Sequence, residues 1–111
     1  MAVYFRYASE KLDAAVRLLM LPNPEEATSI VAAWHEIERA LKPDDDLGDH
    51  EANRQRERVF EIMSTKGIED PTGEGLWLAR ARQLTRDEKH AFSRAVWDLE
   101  SYCRVAGELE G

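Results

Sequence analysis

The apolar residues of this chain repeat at three- and four-residue steps in four separate runs, and no stretch alternates with the period of two that a half-buried strand requires. That pattern restricts the chain to amphipathic helices packed on one another. In the first run Phe5, Ala8, Leu12, Ala15 and Leu19 share a face, while Glu10, Lys11, Asp13 and Arg17 occupy the other positions. The segment "LPNP" at 21–24 stops it, because proline cannot continue a helix interior. The same segment starts the second run. Asn23 is placed as an N-cap, Pro24 falls in the first turn, and Glu25 and Glu26 lie at the positive end of the helix dipole. Ala27, Ile30, Val31, Trp34, Ile37 and Leu41 form its stripe, and Pro43 ends it.

The third run carries Ala52, Gln55 or Arg56, Val59 and Met63, with Phe60 and Ile62 beside them. Its first half reads as polar all round. Gly67 is placed as a left-handed C-terminal stop. The last run opens on "TRDE" (Thr85 to Glu88), a capping box, and continues through Phe92, Ala95, Val96, Leu99, Tyr102, Cys103 and Ala106; Gly107 stands where the pattern ends. These signals predict helices near 3–20, 24–41, 50–66 and 85–106, with a short extra helix from Leu76 to Leu84. The expected fold is all-α: an antiparallel four-helix bundle with a short extra helix before the last helix, in a single domain over 1–111.

A chain of 111 residues can bury roughly two-thirds of its unfolded surface, so it needs neither metal nor disulfide to hold together. Cys103 is the one cysteine, which excludes an intrachain disulfide and fits a reducing cytosol. The net charge of −7 argues against nucleic acid and anionic membranes as partners. No apolar run approaches the ~20 residues of a membrane span, and "MAVYFRYASEK" lacks the features of a signal peptide. The expected location is cytoplasmic.

Templates for chemistry fail one after another. In "KPDDDLGDHEANRQRER" the acids Asp44, Asp45, Asp46, Asp49 and Glu51 invite a calcium reading. An EF-hand loop needs alternating ligands, a central glycine and a glutamate at its twelfth position. Here three aspartates are consecutive, Gly48 is misplaced, and the twelfth residue from Asp44 is Gln55. The stretch therefore reads as a wet loop and the N-terminus of a helix stabilised by Asp49 and Glu51. "WHEIE", with His35, Glu36 and Glu38, lacks the two histidines of a zinc protease. Asp87 and His90 give one approximate half of a di-iron motif that needs two copies. The spacings of Glu10, Asp13, Glu57 and Glu61 miss the magnesium motif of helical nucleotide pyrophosphohydrolases. Arg86 and His90 stand too close for helical ribonuclease toxins. Cys103 sits in an apolar stripe, where a thiol is an unreactive small hydrophobe. Trp34 and Trp97, on or near stripes, are expected in the core or at its rim. No catalytic residue, cofactor or metal is expected.

The segments "AWHEIERALKPDDDL", "RERVFEIMSTKG", "GEG" and "QLTRDEKHAFSRAVWDLE" resemble a family of small helical bacterial proteins, over about half the chain and in matching order. The matching features are caps, stops and stripes. The resemblance implies an all-helical single domain; the family has no established activity, so no site residue carries over.

Two functional expectations follow. The first is a non-enzymatic helical module that acts through contact with a protein partner or with itself. The connection of about eighteen residues from Gly67 to Leu84 is long for a bundle, where links usually take 2–8. It holds Leu76, Trp77 and Leu78 in succession. Residues on a helix turn by roughly 100° each, so the three cannot all face the bundle. They are expected to form an interaction surface, with Arg80 and Arg82 on its rim. The competing expectation for this segment buries Trp77 completely. The second functional expectation is a small-ligand or phosphoester-acting protein with an arginine-lined site, in which Arg54 and Arg58 bind an anion and Arg80 and Arg82 join them.

Overall fold

The computed structural model describes residues 3–20 and 25–110. Five helices account for its regular structure: α1 (Phe5–Met20), α2 (Glu26–Ala40), α3 (His50–Ile62), α4 (Leu76–Gln83) and α5 (Arg86–Leu109). The described residues contain no strand, and no helix among them is long and apolar enough to cross a membrane. The expected cap at Asn23 and Pro24 lies outside the described residues. α1 packs against α2 and α5, α3 against α5, and α4 against α2. Trp34 and Phe60 meet edge to face at 5.0 Å and bring α2 to α3.

The stripes read from the sequence are the core. Leu12, Ile37, Val59, Phe92 and Leu99 are buried among them. Cys103 is fully buried, and burial pushes its thiol up to about 12, so it carries no thiolate at neutral pH. Trp34 is in the core, but Trp97 is 53 % exposed and lies outside it.

Two helix ends differ from expectation, each for a packing reason. α3 stops at Ile62, four residues before position 66. The Ile62 carbonyl, an orphan acceptor at a helix end, takes a hydrogen bond from Arg80 Nε at 2.7 Å. Gly67, at φ +76°, serves the turn beyond rather than the helix stop. α5 continues through Gly107 to Leu109. Gly107 marks a close approach: a Cβ there would sit 3.2 Å from the Arg6 backbone nitrogen and 3.3 Å from its Cα. The Gly107 carbonyl accepts from Arg6 Nε at 3.2 Å, and the Phe5 N–H donates to Glu110 at 2.7 Å. The start of α5 is as expected. The Thr85 hydroxyl accepts from the Glu88 N–H at 3.1 Å, and Glu88 accepts from the Thr85 N–H at 2.9 Å.

The acidic loop is built rather than merely wet. Asp45 accepts from the Lys42 N–H at 2.8 Å, Asp46 from the Gly48 N–H at 2.8 Å and the Asn53 amide at 3.0 Å, and Asp49 caps α3 through the Ala52 N–H at 2.9 Å. The side-chain bond from Asn53 and the backbone bond from Gly48 hold the Asp46 carboxyl below the usual carboxylate range. Leu47 plugs into the core. Its N–H donates to Asn53 at 2.8 Å and its carbonyl accepts from the Tyr102 hydroxyl at 2.6 Å. The first half of α3, expected to be polar all round, buries Ala52 and Arg56 under this loop.

Tyr102→Phe removes one donor from a carbonyl shielded by the loop. It is expected to cost about 1 kcal/mol, measured as a shift in denaturation midpoint. An unshifted midpoint would show that water replaces the bond without loss.

Candidate functional site

The segment before α4 is held by a single carboxylate. Asp70 accepts from the Glu74 N–H at 3.0 Å and from the Gly75 N–H at 2.8 Å. Gly75 takes φ +108°, a conformation that disfavours any side chain, and the chain turns there into α4. α4 is only eight residues long; it buries Ala79 and Ala81 and packs against α2. The larger residues at its start are left outside. Leu76 is 48 % exposed, Trp77 is 36 % exposed and Leu78 is half-buried.

Trp77 is fixed from below. The His35 ring meets it edge to face at 5.4 Å, and the Trp34 ring lies at 6.3 Å with a 60° tilt. His35 Nδ1 is in turn 3.3 Å from Glu38. A groove of about 380 Å³ opens here, with Val31, Ala32 and His35 of α2 on one wall and Leu76, Trp77 and Leu78 on the other. Trp77 thus has one face on a packed aromatic base and part of its surface in solvent. The burial alternative for Trp77 does not occur.

The two arginines expected on the rim divide. Arg82 is on it: its Nε bonds Glu74 at 3.0 Å, and its guanidinium also pairs with Glu25 at the start of α2. The Arg82 hydrogen bond holds the Glu25 carboxyl below the usual carboxylate range. Arg80 is not on the rim. It links the ends of three helices, donating to the Ile62 carbonyl of α3 and to Glu88 of α5 at 2.9 Å. Glu88 is held below the usual range first by the Thr85 N–H, with Arg80 adding to it. A depressed carboxyl contributes stability above its unfolded value, so this joint weakens as the solution is acidified.

Arg54, Arg58 and Arg80 do converge, on a second groove of about 550 Å³ between α3 and α5. Arg82 takes no part in it. Glu57, Glu61, Asp87 and Glu88 line the same walls, so four carboxylates face three guanidiniums. Arg80 is already engaged, and Arg54 lies 3.8 Å from Glu51. Arg58 makes no ion pair among the described residues. Arg56 points the other way, into the acidic loop. His90 is exposed on the first turns of α5. Among the described residues no three metal-ligating side chains converge.

The sequence reading missed the α2 wall of the Trp77 groove. Val31 falls in the core stripe, against which it is partly buried, and His35 in an incomplete zinc motif, so neither marks a groove. Their signal is weak: Thr28, Val31, Ala32 and His35 form a second, less apolar stripe beside the core-facing one. No family model, curated protein or solved structure matches this chain.

Proposed function

We propose that this chain is a non-enzymatic helical interaction module, acting in the cytoplasm as one domain over 1–111. On this reading α1, α2, α3 and α5 form an antiparallel four-helix bundle as the scaffold, and α4 presents the docking element. The observation that carries it is Trp77, partly exposed at the mouth of an apolar groove and held underneath by His35 and Trp34. A rigid, half-exposed tryptophan is an efficient interface anchor, because little side-chain entropy is lost when a partner covers it. Leu76 and Leu78 extend the apolar surface, and the Arg82 bridge to Glu25 and Glu74 keeps α4 in register with α2.

Trp77→Ala is expected to weaken partner binding by about 2 kcal/mol while the chain stays folded. The experiment isolates a partner from the native host, then measures its affinity for wild type, Trp77→Ala and Leu76→Ser by calorimetry, with thermal melts of each variant. Unchanged affinity in both variants would overturn the docking reading. Leu76→Ser guards against loss of the Trp34–Trp77 contact, since Leu76 is the more exposed of the two.

The second reading is a small anionic ligand or phosphoester bound by Arg54, Arg58 and Arg80. Their convergence supports it, and the four carboxylates in the same groove weigh against it.

A further inference from the structure

Among the described residues nothing covers the outward face of α5, where Arg94, Trp97, Arg104, Val105 and Glu108 are exposed. The inward stripe of Phe92, Ala95, Val96, Leu99 and Cys103 is buried. The opposite stripe runs Arg94, Trp97 and Asp98, Ser101, Arg104 and Val105, Glu108. These steps follow the 3.5-residue period of a coiled-coil seam. Trp97 and Val105 are 53 % and 51 % exposed. Among the described residues neither belongs to the core or packs against it.

The stripe is complementary to its own reverse. Read about Ser101, position 94 mirrors 108, 97 mirrors 105, and 98 mirrors 104. These mirror pairs are arginine with glutamate, tryptophan with valine, and aspartate with arginine. We propose that α5 pairs antiparallel with α5 of a second copy of this chain, about a twofold axis at Ser101. Such an interface is isologous, so each contact occurs twice. Arg94 meets Glu108 of the second copy, Asp98 meets Arg104, and Trp97 lies over Val105. Ser101 meets its own counterpart, and its small side chain lets the helices approach to the usual 8–10 Å.

Charge order chooses this occupant. A parallel pairing in register would set Arg94 on Arg94 and Glu108 on Glu108, which repel; the antiparallel one turns every charged contact attractive. The charges are also available. Arg94 is paired only within its helix, to Asp98 at 3.6 Å, and Arg104 to Glu100 at 3.4 Å. The Arg94–Asp98 pair is open to solvent, and Arg104 is exposed beside a largely covered Glu100, so both arginines are held weakly and can exchange partners. This surface is separate from the Trp77 groove, which α5 does not line, so the inference does not depend on the docking reading.

The test is sedimentation equilibrium on the full chain from micromolar to sub-millimolar concentration. Wild type is expected to dimerise reversibly; a monomer throughout that range overturns the proposal. Arg94→Glu and Glu108→Arg are each expected to weaken dimerisation by about tenfold or more, because the twofold axis doubles each change. An equimolar mixture of the two variants is expected to recover association. There the copy with acids at both ends of the stripe meets the copy with arginines at both ends. The doubly substituted chain is expected to dimerise like wild type. Single variants that associate like wild type, or losses that neither the mixture nor the double substitution restores, overturn it. Both positions are exposed, so melting temperatures measured at concentrations where every chain is monomeric are expected to stay unchanged. Trp77→Ala is expected to leave the dimer intact. A dimer lost in that variant and insensitive to the α5 changes would place the self-contact at the groove and overturn the α5 pairing.

Discussion

Leu99→Ala is expected to destabilise the fold by ~2–5 kcal/mol. Leu99 is 1 % exposed, midway along α5, on the face that α1 and α3 cover. Truncation removes the transfer free energy of its methyl and methylene groups and leaves a cavity. α5 is tied to its neighbours at both ends, by the Arg80–Glu88 pair and by the Arg6–Gly107 approach. It therefore has little freedom to collapse into that cavity, which places the expected loss in the upper part of the range. Leu99→Met, which keeps volume, is expected to cost less than ~1.5 kcal/mol. Denaturant titration of the two variants separates a packing loss from a general effect on α5. A Leu99→Ala midpoint equal to wild type would remove Leu99 from the core.

Arg56→Ala is the second large effect expected. Arg56 is 7 % exposed, and its guanidinium bonds the Asp45 carbonyl, 11 residues back, while its stem fills the space under the loop. Losing a charge-assisted hydrogen bond costs about 1.5–3 kcal/mol. Lost stem packing adds roughly 0.8 kcal/mol per buried methylene. Arg56→Met retains most of the stem and is expected to recover part of the loss, leaving the hydrogen-bond share. Arg56→Lys is expected to behave more like methionine than arginine, because a single ammonium point cannot reproduce the guanidinium fork. Melts of the three variants measure the division. Three wild-type midpoints would show that Asp45 and its loop need no anchor from α3.

The acidic stretch shows where a sequence reading reaches its limit. The spacing of Asp44, Asp45, Asp46 and Asp49 was enough to reject a calcium loop, and Asp49 was legible as a helix-start residue. That Asp45 and Asp46 serve backbone groups of their own loop was not legible, because it depends on Leu47 being buried and on Tyr102, 55 residues away, reaching its carbonyl. Arg56 was ambiguous for the same reason. The α3 stripe offered Gln55 or Arg56 as the inward residue, and only the loop carbonyl above it decides in favour of the charged one. Glycine shows the limit again. A glycine after a helical pattern reads as a stop, yet Gly107 lies inside α5, where the nearness of α1 leaves no room for a side chain.

By itself, the sequence determined the helical class, most of the inward-facing residues of α1, α2 and α5, the capping box at Thr85 and the existence of α4 between Gly75 and Thr85. Those features depend on neighbours within one or two turns, where spacing and cap chemistry act directly. It also determined that Leu76, Trp77 and Leu78 cannot all be buried, since that follows from helical rotation alone. The tertiary structure decided which of them stays exposed, that His35 and Trp34 form the base beneath Trp77, and that Arg80 ties helix ends while Arg82 remains on the rim. It likewise decided that Arg54 and Arg58 share their groove with four carboxylates. Each of those outcomes pairs residues far apart in the chain, and their distances are set by how α2, α3, α4 and α5 pack, which no local pattern encodes.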